Sequence, residues 1–156
     1  MRRPLALSLL ITSLIAVATS AEAQGGRGLV GAWERVSIKD STGAAVQPTP
    51  PTAFTVFTAD GFYSQIAIPT GRSKVDKPLA GYTKEELLGR FDRAEARRGH
   101  YTVSGNTLTR TYDMTLNPND EGRAPQVQRF RIEGGMLVLT SPSPTNKSET
   151  RWRRAK

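Results

Sequence analysis

Short stretches of alternating apolar and polar residues, joined by tight-turn sequences, dominate this chain from residue 31 onward. The clearest is FTVFTADGFYSQIAI, where Asp60 and Gly61 tolerate the positive φ that a tight hairpin turn demands. Further hairpins are predicted around Ser104-Gly105-Asn106 and around Glu133-Gly134-Gly135, and RWRR near the C-terminus is predicted to be the last strand. About eight short strands in hairpin succession favour an all-β fold, either an antiparallel barrel or a sandwich.

One segment follows a helical period instead. Thr83 and Glu86 have the spacing of a capping box, in which each side chain satisfies the other residue's backbone N–H. Apolar residues then repeat at helical spacing: Leu87, Leu88, Phe91 and Ala94. We expect this helix to follow the third strand and to end at Gly99. Its exposed side is then expected to carry Arg90, Arg93, Arg97 and Arg98.

The first 23 residues have the pattern of a cleaved secretion signal. Arg2 and Arg3 precede an apolar run from Leu5 to Val17, and Ala21-Glu22-Ala23 offers small residues for cleavage. The run is shorter than the ~20 apolar residues that a membrane span needs, and no later stretch could serve as one. We therefore expect a signal over 1–23, a flexible lead-in over 24–30 and one domain over 31–156, located in the periplasm or secreted.

Composition excludes several kinds of chemistry. The chain has no cysteine and one histidine, which excludes thiolate zinc sites and cysteine nucleophiles. We predict no metal site and no cofactor. The formal net charge of +8 predicts weak attraction to an anionic envelope surface. No stacking aromatic residues interleave with the arginines, so no nucleic-acid binding is expected.

Gly31, Ala32 and Trp33 at the head of the first strand resemble the G-x-W signature of lipocalins. The chain as a whole is similar to the bacterial lipocalin-like domain family. The segments that carry this similarity follow Gly31-Ala32-Trp33 in this order: FTADGFYSQ, the helix, GHYTVSGNTLTR, QRFRIEGGMLVLTSP and RWRR. The resemblance implies an eight-stranded antiparallel up-and-down barrel with one inserted helix. It also implies that Trp33 closes the base and packs against a basic residue of the last strand. The candidates for that residue are Arg151, Arg153 and Arg154, of which we select Arg153.

A barrel of about eight strands is just wide enough to be filled by side chains or to hold one small ligand. Period-two alternation predicts the following inward-facing, ligand-binding residues: Val56, Phe62, Ser64, Ile66, Leu108, Arg110, Tyr112, Phe130 and Ile132. Most are apolar, as is typical of small-molecule pockets. An inward Arg110 would require a carboxylate partner or an anionic ligand, because an unpaired buried cation is costly to desolvate.

These features predict a secreted protein that binds a small, largely apolar or amphipathic molecule in the barrel, with any acidic group meeting Arg110. One alternative is a cofactor-independent lyase, isomerase or cyclase, in which His100, Tyr112 or Asp113 moves a proton in the same cavity. Another is an envelope structural or interaction protein with a filled core. A ligand-accessible interior separates the first two hypotheses from the third, and turnover separates the first from the second.

Overall fold

The computed structural model describes residues 26–46, 52–70, 78–92 and 94–156. The predicted secretion signal lies outside the described residues. The strands are β1 Gly31–Lys39, β2 Thr52–Phe57, β3 Phe62–Ile68, β4 Glu95–Ser104, β5 Thr107–Arg110, β6 Met114–Thr115, β7 Gln126–Glu133, β8 Met136–Thr140 and β9 Glu149–Arg154. Helix α1 spans Lys84–Phe91, and short 3₁₀ turns cover Leu79–Gly81 and Pro118–Asp120.

The sheet closes on itself. Going round it, β1, β2, β3, β4, β5, β7, β8 and β9 each pair antiparallel with the next, and β9 pairs with β1. The two-residue strand β6 is an extra pairing alongside β4. Helix α1 is inserted between β3 and β4. The predicted eight-stranded up-and-down barrel with one inserted helix is therefore confirmed.

The start of α1 is as predicted, and its end is not. The Thr83 hydroxyl accepts a hydrogen bond from the Glu86 backbone N–H, and the Glu86 carboxylate accepts one from the Thr83 N–H. The helix stops at Phe91, and Gly99 lies inside strand β4. A Cβ atom at Gly99 would collide with the carbonyl oxygen of Thr111, so glycine is needed there for close approach of the backbone.

Because β4 begins at Glu95, the prediction that Arg97 and Arg98 lie on the exposed side of a helix is wrong. Successive side chains of a strand point to opposite faces, so Arg97 faces the barrel interior and Arg98 faces outward. The side chains of Arg90 and Arg93 lie outside the described part of the structure. Arg97 and Arg98, expected on one side of a helix, therefore lie on opposite faces of the barrel wall.

Most of the apolar core lies toward the end of the barrel at which β1 begins, called here the Trp33 end. Phe57 packs edge-to-face on Tyr101, with ring centroids 5.1 Å apart. The lead-in, expected to be flexible, forms a helical turn over residues 26–29 and buries Leu29 completely. The other buried apolar side chains of this core cluster are Trp33, Ala53, Tyr63, Ala67, Leu108, Phe130, Leu137, Leu139 and Trp152. The opposite end, where β5 finishes and β7 starts, is called the Arg110 end.

Candidate functional site

Strands β2 and β3 point the opposite way from the prediction. Their buried side chains alternate as Ala53, Thr55 and Phe57 on β2, and Tyr63, Gln65 and Ala67 on β3. The inward orientation predicted for Val56, Phe62, Ser64 and Ile66 is therefore wrong, because these four occupy the outer face. Phe62 is 45% exposed and Ile66 is 49% exposed. A shift of one residue in the assumed alternation moves a whole strand's side chains to the other face.

Strands β5 and β7 point as predicted over most of their length. Leu108, Arg110 and Phe130 are buried in the interior. Tyr112, just after β5, is half-buried and its hydroxyl turns toward β7, where it donates to Gln126. Ile132 lies beside Gly28 near the end of β7 and is 43% exposed, so it is not an interior residue. Whether any of these side chains contacts a ligand stays a prediction.

Six polar side chains form a closed circuit of hydrogen bonds inside the Arg110 end, and we call this circuit the polar ring. Its members are Arg110, Gln65, Glu95, Arg97, Tyr112 and Gln126. On one side, Arg110 Nη1 donates to Gln65 Oε1 at 3.3 Å, and Gln65 Nε2 is 3.5 Å from Glu95 Oε2. On the other side, Arg110 Nη2 donates to Gln126 Oε1 at 2.7 Å.

Arg97 and Tyr112 complete the ring. Arg97 Nη2 donates to the same Glu95 oxygen at 2.6 Å, and Arg97 Nη1 donates to the Tyr112 hydroxyl at 3.4 Å. That hydroxyl donates to Gln126 Oε1 at 3.1 Å. Gln128 stands beside the ring and accepts a second hydrogen bond from Arg110 Nη2. The ring therefore contains two guanidinium groups and a single carboxylate.

The barrel register brings these residues together. Gln65 on β3 lies opposite Arg97 on β4, and Arg110 at the end of β5 lies opposite Gln126 at the start of β7. Glu95 and Arg97 are two positions apart, so their side chains share the inner face of β4. Strands β3, β4, β5 and β7 thus each supply at least one polar side chain to the ring.

Arg110 is a buried cation with no acidic partner among the described residues. Arg110 is only 4% exposed, and its hydrogen-bond acceptors are the neutral side-chain oxygens of Gln65, Gln126 and Gln128. Burial lowers the pKa of Arg110 from its usual value, and the nearby Arg97 lowers it further. A guanidinium nevertheless stays protonated at neutral pH, so an uncompensated positive charge lies inside the barrel.

Two further donors in this region have no partner among the described residues. They are Arg110 Nε and the Tyr63 hydroxyl, and both are buried. The Arg110 guanidinium carbon lies 5.4 Å from the centroid of the Tyr63 ring. Burial raises the pKa of Tyr63 to about 12, so its phenol is neutral and can donate a hydrogen bond. Because buried donors are nearly always satisfied, these two are available to donate to a water molecule or to a ligand.

Arg97 and Glu95 lie nearer to solvent. The Arg97 side chain is 16% exposed and that of Glu95 is 45% exposed. Burial alone would lower the pKa of Arg97, but its attraction to Glu95 and its contact with the Tyr112 hydroxyl outweigh burial and leave the pKa raised. The Arg97 guanidinium carbon also lies 5.6 Å from the Tyr112 ring centroid. The second cation of the polar ring is thus paired, whereas the deeper one is not.

A cavity of about 680 Å³ adjoins the polar ring. Glu95 and Arg97 belong to both, and Leu88 of α1 and Leu116 of the segment after β6 line the remainder with their neighbours. Leu88 is 60% exposed and Leu116 is 54% exposed, so the cavity presents apolar surface beside the charged groups. Its volume is in the range of small-molecule pockets, roughly 300–1,000 Å³.

The three residues predicted to transfer protons do not share one site. His100 lies on the outer face of β4, where its Nδ1 is 2.9 Å from Asp113 Oδ2 and its ring lies 4.2 Å from that of Phe62. The His100 side chain is 53% exposed. Tyr112, by contrast, belongs to the polar ring inside the barrel. The pair of His100 with Asp113 is therefore separate from the polar ring, and proton transfer by any of the three residues stays a prediction.

Trp33 closes the other end of the barrel. It is 1% exposed, and its Nε1 donates to the Leu29 carbonyl at 2.8 Å. The Arg154 guanidinium carbon lies 4.2 Å from the indole centroid, and Arg154 also donates to the carbonyls of Val30 and Gly28. The predicted choice of Arg153 is wrong, because that residue points outward and pairs with Glu34 at 2.9 Å.

The barrel has eight main strands in sequential order, and an arginine of the last strand packs on the indole of the first strand. The chain thus has a lipocalin-like fold. The structure is similar to that of a lipocalin-like protein from Bacteroides uniformis, with 12% sequence identity, coverage of 82% of this chain and 99% of that chain, and a TM-score of 0.49.

Two further solved structures are similar to the lipocalin-like barrel. An uncharacterized protein from Bacteroides eggerthii matches at 10% identity over 81% of this chain and 99% of that one, with a TM-score of 0.49. A mutant of the fluorescent protein UnaG matches at 12% identity over 83% of this chain and 98% of that one, with a TM-score of 0.42. No protein-family model matches the chain, and neither does any curated protein.

Two features are absent from the described residues. Within 26–46, 52–70, 78–92 and 94–156, no helix is long and apolar enough to cross a membrane. In those same ranges, no three or more His, Asp or Glu side chains are grouped as a metal ion would require.

Gln65, Glu95, Arg97 and Gln126 are members of the polar ring that sequence reasoning does not identify. The sequence contains a signal for Gln126, because Gln126 and Gln128 precede Phe130 at two-residue spacing and Phe130 is predicted to face inward. Gln65 is not identified because the predicted alternation assigns the wrong face to β3. Glu95 and Arg97 are not identified because the predicted helix extends over residues that belong to β4.

Proposed function

We propose that this lipocalin-like barrel binds a small amphipathic molecule whose acidic group is held by Arg110. The observation that carries the proposal is the buried Arg110 guanidinium, which has only neutral acceptors among the described residues. Holding an unpaired cation away from water costs several kcal/mol in real proteins. An anionic group of a ligand would offset that cost and would accept from the unpartnered donors Arg110 Nε and Tyr63 Oη.

The largely apolar character of the ligand is inferred from the adjoining cavity. Leu88 and Leu116 leave apolar surface exposed there, and a hydrocarbon part of the ligand would cover it. In this proposal the acidic group enters the polar ring and the apolar part extends toward α1. No group of the proposed site has to move a proton or form a covalent bond. We also propose, from the secretion-signal pattern of residues 1–23, that the protein acts outside the cytoplasm.

Isothermal titration calorimetry with octanoate and with octanamide tests this function. The two probes share a hydrocarbon tail, but only octanoate is charged at neutral pH. We expect the protein to bind octanoate more tightly. Arg110→Gln should weaken octanoate binding by about 10- to 100-fold, the scale of a hydrogen bond to a charged group, and should leave octanamide nearly unchanged.

Arg131→Gln is the matched control, because it removes one positive charge from the outer face of β7, where Arg131 pairs with Glu133 and Glu149. This control should leave octanoate affinity within about twofold of the unmodified protein. Equal affinity for octanoate and octanamide would contradict the role of Arg110. No binding of either probe would favour the third hypothesis, a structural or interaction protein with a filled interior.

A further inference from the structure

We propose that the polar ring selects ligands by charge, accepting one negative charge and disfavouring two, and that Glu95 is the residue responsible. This inference rests on the proposed function, since it concerns an anion held at Arg110. It differs from that function in assigning a specificity-determining role to a residue that need not touch the acidic group. The ring contains the cations Arg110 and Arg97 and the single carboxylate of Glu95, so its net charge is +1.

The connections of Glu95 support this role. One carboxylate oxygen, Oε2, accepts from Arg97 Nη2 at 2.6 Å and lies 3.5 Å from Gln65 Nε2. The oxygen end of the same Gln65 amide accepts from Arg110 Nη1 at 3.3 Å. Gln65 therefore orients its donor toward the carboxylate and its acceptor toward the unpaired cation. Glu95 already occupies the second guanidinium, which leaves a single positive charge available.

Arg110 and Arg97 differ in how deeply they are buried and in whether an acidic side chain pairs with them. Arg110 is 4% exposed and lacks an acidic partner among the described residues, so it supplies the charge that a ligand neutralises. The Arg97 side chain is 16% exposed and is neutralised by Glu95 at the edge of the adjoining cavity. A monoanion brings the ring to net zero. A dianion would leave one excess negative charge close to Glu95, or would have to displace Glu95 from Arg97.

Octyl sulfate and octyl phosphate are suitable probes. Both have the same tail and a tetrahedral head group, but the sulfate carries one negative charge, whereas a phosphate monoester carries about 1.5 to 2 near neutral pH. The unmodified protein should prefer octyl sulfate. Glu95→Gln frees Arg97 and should shift the ratio of the two affinities toward octyl phosphate by about tenfold or more, which lies between a unit-charge interaction in bulk water and one near a protein surface.

Two control variants make the test specific. Glu133→Gln removes the same charge on the outer face, where Glu133 pairs with Arg131, and should leave the ratio unchanged. Glu95→Asp keeps the charge and should keep the preference for octyl sulfate. If Glu95→Asp shifts the ratio as much as Glu95→Gln, side-chain shape rather than charge sets the preference, and the proposal is wrong.

Three other outcomes distinguish charge selection by Glu95 from anion binding at Arg110. Binding of octyl sulfate that depends on Arg110, with a ratio that Glu95→Gln does not move, would overturn charge selection and leave the proposed function standing. A preference of the unmodified protein for octyl phosphate would overturn charge selection in the same way. Failure of the unmodified protein to bind either probe would overturn both.

Discussion

Replacing Arg154 by alanine should destabilise the barrel far more than the same replacement at Arg153, although the two arginines are neighbours on β9. Arg154 lies against the indole of Trp33, with its guanidinium carbon 4.2 Å from the ring centroid, and donates to the carbonyls of Val30 at 2.6 Å and Gly28 at 2.9 Å. Arg153 makes a surface ion pair with Glu34, and these side chains are 66% and 39% exposed.

The magnitudes follow from these contacts. A cation–π contact on a buried indole contributes about 1 kcal/mol, and two hydrogen bonds from a charged donor to partly solvated carbonyls add about 1 kcal/mol each at most. Arg154→Ala should therefore lower the free energy of unfolding by about 2–3 kcal/mol. The exposed pair of Arg153 with Glu34 is worth about 0.5 kcal/mol or less. For a domain of this size the two variants should lower Tm by about 10 °C and about 2 °C.

Urea unfolding followed by tryptophan fluorescence measures the difference directly. The chain has two tryptophans, Trp33 and Trp152, and both are buried in the apolar core. Arg154→Lys keeps the charge but loses the planar stacking and part of the hydrogen bonding, so about half of the stability loss is expected. Equal stability losses for Arg154→Ala and Arg153→Ala would refute the view that Arg154 holds the Trp33 end closed.

Two further predictions concern single residues of the barrel wall. Gly99→Ala should destabilise the protein by about 2 kcal/mol or more in urea unfolding, because its Cβ would collide with the Thr111 carbonyl, whereas Gly89→Ala has open space in α1 and should stabilise it by about 0.5–1 kcal/mol. Tyr63 keeps its proton to about pH 12 in the folded state against 10.0 when unfolded, so stability should fall between those values by about 2–3 kcal/mol. Tyr63→Phe should remove that part of the alkaline destabilisation; an unchanged pH profile in this variant would show that Tyr63 does not cause it.

The order of the strands could be predicted from the sequence because the hairpin signals are local. The Asp60-Gly61 turn and the capping box of Thr83 and Glu86 are each set by residues close together in the chain, and each is found where expected. The end of α1 is not a local property. Pairing of β4 with β3 along residues 95–100 overrides the helical spacing that continues to Ala94, and that pairing joins segments far apart in the sequence.

The sequence could not predict which side chains of β2 and β3 face the barrel interior. Apolar residues occur at both alternating positions of these strands, so hydrophobicity does not choose between the faces. The inner face carries Thr55 and Gln65, while Phe62 and Ile66 lie outside. The rule that apolar side chains point inward fails for Ile66 because the neighbouring inner position is occupied by Gln65, a member of the polar ring. Such a failure is expected where a functional site departs from the pattern of a plain core.

The two ends of the barrel therefore make opposite contributions to stability. The Trp33 end buries Trp33, Phe57 and Trp152 with their neighbours, and burial of large apolar side chains stabilises a fold by about 1.5–3 kcal/mol each. The Arg110 end instead holds a cation whose desolvation no acid among the described residues offsets, although an apolar side chain there would pack without that cost. An anionic ligand at this end would offset the desolvation cost that the unliganded barrel carries. The charge of Arg110 is therefore the strongest reason to expect an anionic ligand at this end rather than elsewhere on the surface.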